Sequence, residues 1–397
     1  MKPVLPLVMK FGGTVLADEV SRALVVQDVA RAVHRGLSPV VVVSAMGRRG
    51  DAYATDTLLD LLLANGVRPT RHTRDLMLSC GEAIATALTA HLLTASGMPA
   101  VALAAVKAVL CAADRRSEPF VSAATAQRLR TILAAGTIPV VAGFQAVDGT
   151  GEIITLGRGG SDLTAVAVGA ALGARVEIVK DVNGVLTCDP GLLPAGRRLT
   201  RVSYPALSLL AALGNQVVQG RAVSAGWRHR VPMLVRRVGA QCGTEVTVTD
   251  GVQFSDESGT GVQALVCTTG LTIAPLPTSR ALSALPRLGS EVDSAVAANE
   301  VVLICLTRAG VERLGEICSD LLTGATANCA RLSVVSQDDG DCARRVHEGL
   351  RALQVASIPV LAGFAGGHTA NYLIPGEQVG AAAAVLLGER GARVTAA

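Results

Sequence analysis

Two short stretches carry the residue types that phosphoryl chemistry needs. The first, Lys10-Phe11-Gly12-Gly13-Thr14, sets a lone lysine beside two glycines directly after an apolar segment. The second, Gly157-Arg158-Gly159-Gly160-Ser161-Asp162, closes another apolar segment and opens the Ala-rich run Leu163 to Leu172. Glycines let the backbone approach a ligand, and Ser161 with Asp162 is expected to supply capping oxygens for the helix that follows. The free amides and positive dipole end of that helix favour a phosphate or carboxylate, and the Arg158 guanidinium matches either anion. The plainer alternative for this hexapeptide is a glycine turn that caps a core helix. No Gly-x-x-x-x-Gly-Lys-Ser/Thr occurs, which excludes a Walker-type nucleotide site. A lysine at the phosphates with helix N-termini around them carries phosphoryl transfer by positioning and charge neutralisation, and a carboxylate acceptor needs no general base.

Composition bounds the setting of that chemistry. The 397 residues are 50% hydrophobic and only 2% aromatic, with 42 glycines, as in an α/β protein whose core is built from Ala, Val and Leu. A net charge of +4 without blocks of like charge argues against nucleic acid or an anionic membrane as partner. No apolar run reaches the roughly 18 residues of a membrane span, and Met1 to Met9 is too short for a secretory signal, so a cytoplasmic location is expected. The 9 cysteines are scattered without Cys-x-x-Cys, which reads as small buried thiols in a reducing compartment. No cluster with metal-ligand spacing appears. Lysine occurs only at positions 2, 10, 107 and 180, so a lysine beside a motif stands out.

The elements that must hold these residues alternate. Val4 to Val8 reads as a strand, Asp18 to His34 as a helix and Pro39 to Val43 as a fully buried parallel strand, one βαβ unit. Ser44-Ala45-Met46-Gly47 then sits at a strand's carboxyl end, where open α/β sheets place ligands. A polar loop from Arg48 to Asp56 leads to a helix from Thr57 to Leu63. The helix Arg74 to Leu93 is interrupted by Ser79-Cys80-Gly81-Glu82, where a glycine costing about 1 kcal/mol relative to alanine implies close packing or a buried role for Glu82. Ile138 to Phe144 and Val176 to Val179 read as strands, with a hairpin over Gly149 to Leu156 between them. Helices at Tyr204 to Ala212 and Arg221 to Arg228 precede the strand Met233 to Val238. The fold class is α/β, a mostly parallel sheet with helices on both faces.

A polar, Gly-rich stretch from Gly251 to Gly261 marks a boundary, and beyond it a pattern runs twice. Strand Ala264 to Pro275, helix Ser279 to Leu285, strand Val301 to Leu306 and helix Val311 to Leu322 form the first round. Strand Arg331 to Val335, helix Cys342 to Leu353, strands Ile358 to Phe364 and His368 to Ile374, and helix Glu377 to Leu387 form the second. Each reads as a ferredoxin-like βαββαβ unit with an incomplete final strand. The expected domains are therefore 1–250, 260–325 and 326–397.

Lys10 to Thr14, Val41 to Gly47, Ser79 to Glu82, Val140 to Gln145, Gly157 to Asp162 and Asp181 to Pro190 stand in the order seen in aspartokinases of the amino acid kinase superfamily, which the chain resembles over nearly its whole length. The resemblance implies an amino acid kinase-like three-layer sandwich followed by two ACT-type repeats, the first degenerate, and is strongest to the diaminopimelate-sensitive bacterial form. It implies transfer of the γ-phosphoryl group of ATP to the β-carboxylate of L-aspartate, with Mg²⁺ bridging the phosphates. By position, Lys10 would neutralise the transferring group and Asp162 would orient it. Ser44, Thr55, Glu82 and Arg158 would hold aspartate, with Glu82 on its ammonium. Gly12, Gly13, Gly159, Gly160, Ser161, Lys180 and Asp181 would face the nucleotide. Paired ACT-type modules imply an amino-acid effector, with Ala365 to Thr369 and Pro275 to Leu285 as the effector-facing turns, and a homodimer or larger homo-oligomer.

The departures from the family pattern lie on the nucleotide side. Lys180-Asp181 stands where the family has Thr-Asp, Asp189-Pro190-Gly191 replaces Asp-Pro-Arg, and Gln216 replaces a lysine; Val15 and Leu163 replace Ser and Thr. Two lost charge-assisted hydrogen bonds at about 1.5 to 3 kcal/mol each would weaken ATP by roughly 10²- to 10⁴-fold unless Lys180, Arg197 or Arg198 compensates. The alternatives are a catalytically weak paralogue that binds an amino acid as a regulatory subunit, and a kinase of another amino-acid carboxylate.

Overall fold

The computed structural model describes residues 4–104, 110–194, 196–215, 217–257, 263–298, 301–317, 322 and 324–388. The chain forms two units, one of Met1–Val185, Arg198–Ala212 and Gln216–Ser258, the other of Leu186–Arg197, Leu213–Asn215 and Gly259–Ala397. Gln216 and the end of the polar boundary stretch lie outside the described residues.

In the first unit the order is β1 (Pro6–Phe11), α1 (Glu19–His34), β2 (Ser38–Val43), α2 (Thr55–Leu63), α3 (Arg71–Ala95), β3 (Ala100–Leu103), α4 (Ala123–Ala134), β4 (Ile138–Ala142), β5 (Gln145–Val147) and β6 (Ile153–Thr155). Then come α5 (Gly160–Leu172), β7 (Arg175–Lys180), β8 (Arg201–Ser203), α6 (Tyr204–Ala212), α7 (Gly220–Arg228), β9 (Met233–Arg237), β10 (Gly243–Thr247) and β11 (Phe254–Ser255). Nine strands make one sheet in the order β11-β8-β10-β9-β7-β1-β2-β4-β3. From β9 to β3 every neighbouring pair is parallel, and β5 with β6 forms a separate hairpin.

Strand alternation decides what faces what. Leu7, Met9 and Phe11 of β1 pack with Val25 and Val29 of α1 and with Ala85 and Leu93 of α3. Val8 and Lys10 therefore point to the opposite face, where α5 lies. Helix α5 is buried nearly all round, which its Ala, Val and Leu content permits. Helix α3 is long and apolar enough to span a membrane by length and composition alone, but half of that apolar window is buried within the protein, as in a core helix.

Several elements differ from expectation. Strand β1 begins and ends later, because pairing of Lys10 with Val42 and with Ile178 draws Lys10 and Phe11 into the ladder. Helix α3 runs unbroken through Ser79 to Glu82. Gly81 is there because a Cβ would sit 2.8 Å from the Ala45 Cβ and 2.9 Å from the Tyr53 carbonyl, so the close-packing reading holds. The short or Ala-rich elements β3, α4, β8, β10 and β11 carry too little periodicity to be read from sequence. Cysteines are not uniformly buried: Cys188, Cys305, Cys329 and Cys342 are, whereas Cys80 and Cys242 are exposed.

The second unit contains β12 (Ala264–Pro277), α8 (Thr278–Leu288), β13 (Val292–Ala298), β14 (Val301–Leu306), α9 (Arg308–Ile317), β15 (Thr326–Val335), α10 (Cys342–Val355), β16 (Ala362–Gly366), β17 (Thr369–Pro375) and α11 (Val379–Leu386). All six strands share one antiparallel sheet, ordered β13-β14-β12-β15-β17-β16. The missing final strand of each repeat is supplied by the other. The second half of β12 pairs with β14, and its first half pairs with the second half of β15, beside β17. Strand β13, absent from the sequence reading, completes the first repeat.

Strands β13 and β15 are three places apart in this order, roughly 14 Å in a flat sheet. Yet Arg331 of β15 holds Asp293 of β13 with Nε to Oδ2 at 2.7 Å and Nη2 to Oδ1 at 2.9 Å, so the sheet is strongly coiled. Arg331 also donates to Ser333 Oγ, which donates to Asn371 Oδ1, both at 2.7 Å. Removing one partner of such a buried pair costs roughly 3 to 5 kcal/mol, whereas an apolar replacement of both is often tolerated. Arg331→Met is expected to lower stability by that amount in urea unfolding, and Arg331→Met with Asp293→Leu to recover most of it.

Candidate active site

The carboxyl ends of β1, β2, β4 and β7 open on one edge of the parallel sheet, the place where such sheets bind ligands. Lys10 arrives there on the α5 face, and Lys180, two residues beyond Ile178 in the adjacent strand, has the same parity. Asp162 comes from the opposite direction, in the first turn of α5. Lys10 Nζ lies 2.7 Å from Asp162 Oδ1, and Lys180 Nζ lies 3.4 Å from Asp162 Oδ2. Lys180 also donates to the carbonyl of Val217. Lys10 and Asp162 are only 5% and 2% exposed.

Burial opposes the charge of Asp162, but Lys10 and Lys180 together outweigh it and hold its pKa at about 2. Burial likewise depresses the Lys10 ammonium, against the pull of Asp162. The result is one buried carboxylate between two amines, a fixed charge arrangement of the kind that stabilises a transferring anionic group.

Glycines make the approach of these elements possible. A Cβ on Gly13 would fall 2.3 Å from the Ala45 carbonyl, and one on Gly143 would fall 2.7 Å from the Ser161 Cβ. Gly13 and Gly47 close the gap between the two loops with a 2.9 Å backbone hydrogen bond. Gly12 sits beside both lysines, where a Cβ would lie 3.8 Å from Lys10 Nζ and 3.9 Å from Lys180 Cγ.

Glu82 projects from α3 toward the same loops and is 2% exposed. Its Oε1 accepts a hydrogen bond from the Ala45 amide at 3.1 Å, and its Oε2 has no hydrogen-bond partner among the described residues. Burial raises its pKa to about 8, opposed by the Ala45 amide and by Lys10. The buried role expected for Glu82 is thus met alongside the close packing at Gly81. Ser44, half-buried, follows directly on β2, and Thr55 opens α2. Arg158 is exposed, and Asp181 turns outward to pair with Arg48 at 2.9 Å.

The helix cap is not the one expected. Gly159, in the left-handed region at φ 73°, is the N-cap of α5, and no side chain caps it. Ser161 and Asp162 lie inside the first turn because the chain reverses one residue earlier. The Gly160 and Asp162 amides are already bonded to the carbonyls of Gly157 and Gly159, so fewer amides are free than the sequence implied. Val15 and Leu163 are simply core residues. Arg198 is committed to Glu257 at 2.8 Å, and Leu193 packs in the core of the second unit. Three contributors escaped the sequence reading. Phe144 takes φ 67° to turn the chain around the start of α5, Gly143 clears Ser161, and the Gln219 side chain lies over Gly159. The glycine beside Phe144 was the one visible signal.

With this geometry in place, the family comparison becomes specific: the model of the amino acid kinase family matches residues 6–237. The chain belongs to that family. It is 39% identical over 231 residues to aspartokinase 1 of Bacillus subtilis, a stretch covering 58% of this chain and 57% of that relative. The match thus spans little more than half the length of this relative. E. coli aspartokinase III solved with aspartate and ADP superposes with a TM-score of 0.68 at 20% identity, covering 97% of this chain and 99% of that one. The same enzyme solved with lysine and aspartate gives 0.68 at 22% identity, covering 96% and 98%. At these identities the two structures speak for the fold. They extend the likeness in fold to the second unit and its antiparallel sheet.

Glu82 yields a stability prediction for this family member. Its folded pKa of about 8 exceeds the ordinary 4.5, so the folded state binds the extra proton and stability falls as pH rises from 4.5 to 8. Glu82→Gln keeps an acceptor for Ala45 and removes that dependence. Its melting temperature is expected to exceed wild type by a margin that grows between pH 5 and pH 8 and then levels, worth on the order of 4 kcal/mol.

Proposed function

We propose that the chain is an aspartate kinase, carrying the γ-phosphoryl group of ATP to the β-carboxylate of L-aspartate to give 4-phospho-L-aspartate and ADP. The observation that carries this reading is the buried Lys10–Asp162–Lys180 group at the strand ends beside a lone buried Glu82. The relative with 39% identity, named an aspartokinase, supports the choice of substrate.

In this mechanism an aspartate carboxylate oxygen forms the new bond to the γ-phosphorus as the bridge to the β-phosphate breaks, and ADP leaves with the electron pair. The acceptor is already ionised, so no protein base is required. Lys10, held by Asp162, neutralises charge on the transferring group, and Lys180 adds a second cation on the nucleotide side. Asp162 is ionised throughout the useful pH range and keeps both amines aimed. Glu82 presents a free oxygen to the substrate ammonium, with Ser44, Thr55 and Arg158 around the carboxylates. Mg²⁺ would enter with ATP as part of the substrate and would supply charge neutralisation at its phosphates. On the same reading the second unit takes an amino-acid effector, which the lysine complex of the solved relative supports, and the protein assembles as a homo-oligomer.

Hydroxamate formation from aspartate and MgATP tests the reading. Wild type is expected to turn over and Lys10→Ala to lose roughly 10³-fold. Lys180→Ala is expected to raise the KM for ATP roughly 10- to 100-fold, the worth of one charge-assisted contact. Aspartate that still binds without any phosphorylated product would instead assign a regulatory paralogue.

The proton on Glu82 gives a second test. An ammonium needs the ionised carboxylate, so the KM for aspartate is expected to fall as pH rises from 6 to 8 and to flatten above. A Glu82→Gln variant should show a raised KM with no such slope.

A further inference from the structure

We propose a second anion-binding site in the first unit, a cleft walled by four arginines that takes a small, multiply charged anion bearing phosphate or carboxylate groups. The cleft, of about 740 Å³, is lined by Pro69, Arg71, Arg74, Asp114, Arg115 and Arg116. It is separate from the catalytic group, since Arg74 and Glu82 are eight positions apart on α3, roughly 12 Å along the axis.

The acids nearby do not neutralise it. Asp114 spends its Oδ1 on the loop, accepting from the Arg116 amide and the Ser117 amide at 2.7 Å each and from Ser117 Oγ at 3.0 Å. Asp75, buried at the base, accepts from Arg74 Nη2 at 3.3 Å and lies 3.9 Å from Arg115 Nη2. Arg115 is fixed by Thr155, with Nε to the carbonyl and Nη2 to Oγ1 at 2.9 Å each. Arg74 Nε is buried without a hydrogen-bond partner. Arg71 and Arg116 are exposed, and among the described residues neither guanidinium has an ion-pair partner.

Four guanidinium groups against two carboxylates leave a net charge of +2 in one cleft. Two of the four also stand in the first turn of α3, which has no acidic residue to offset the positive helix end. Cations at that end are unfavourable on their own, so the arrangement opposes itself until an anion enters. Arginine forks pair bidentately with phosphate and carboxylate alike, and two fixed with two free forks suit a ligand that carries several such groups.

Calorimetric titration of the full chain with inorganic pyrophosphate, and separately with citrate, in magnesium-free buffer tests the site and tells phosphate from carboxylate preference. Wild type should give saturable binding of at least one probe, retained in Lys10→Met, which alters the catalytic centre alone. Arg71→Ser with Arg116→Ser should weaken it at least tenfold; both residues are exposed, and near-ultraviolet circular dichroism checks that the variant is folded. Arg71→Gln alone, expected to weaken binding severalfold, serves if the double variant fails that check. Absence of saturable binding in wild type, loss on Lys10→Met, or a weakening of less than tenfold in the double variant overturns the proposal.

Discussion

A buried amine and carboxylate at the strand ends, with a second, half-buried amine beside them, set the terms for the rest of the first unit. Lys10 occupies a strand position whose neighbours across the sheet are Val42 and Ile178, and a buried ammonium is tolerated there only with a counter-charge at contact distance. Asp162 must therefore reach the end of β1, which forces the start of α5 against the loops after β2 and β4. That approach leaves no room for a Cβ at Gly143 or Gly160. Such an ion pair is a poor stability device, since well-packed apolar residues would often serve as well or better. Its retention points to the charge itself being used.

The two buried acids of the site are held in opposite states by their surroundings. Asp162, flanked by two lysines, titrates at about 2, whereas Glu82, with one amide and a more distant lysine, titrates at about 8. Environments that drive two carboxyl groups apart in this way assign them different tasks. Asp162 is a permanent anion that organises cations. Burial favours the neutral form of Glu82 in the empty pocket, and on the proposed reading an arriving substrate ammonium would ionise it and couple binding to proton release.

Much of this was legible in the residues. Long periodic segments such as α1 and α6, and continuous valine runs such as β2, were read within a residue or two. What failed was short elements with little periodicity, the local turn before α5, and whatever depended on partners distant in sequence. Lys10 belongs to the strand because of its register with Val42 and Ile178. The α5 cap moved to Gly159 because a left-handed turn, not a side-chain oxygen, starts the helix. The two C-terminal repeats lend each other their last strand, an exchange that no local pattern announces. The motifs mark Lys10, Asp162 and Glu82 as candidates, whereas the direction of Lys180 and the isolation of Glu82 Oε2 follow only from how distant segments pack.

Lys180 also bears on the altered nucleotide side. The cation expected after Asp189-Pro190 is missing, and two of the residues that follow are otherwise engaged: Leu193 serves an apolar core and Arg198 is tied to Glu257. Lys180 lies on the adjacent strand end with the parity of Lys10, and it is held on two sides by Asp162 and the Val217 carbonyl. An amine fixed in this way has already lost its rotamer freedom, so a phosphate meeting it loses little further entropy. On the proposed reading, one rigid strand-end lysine stands in beside the phosphates for a more mobile loop cation.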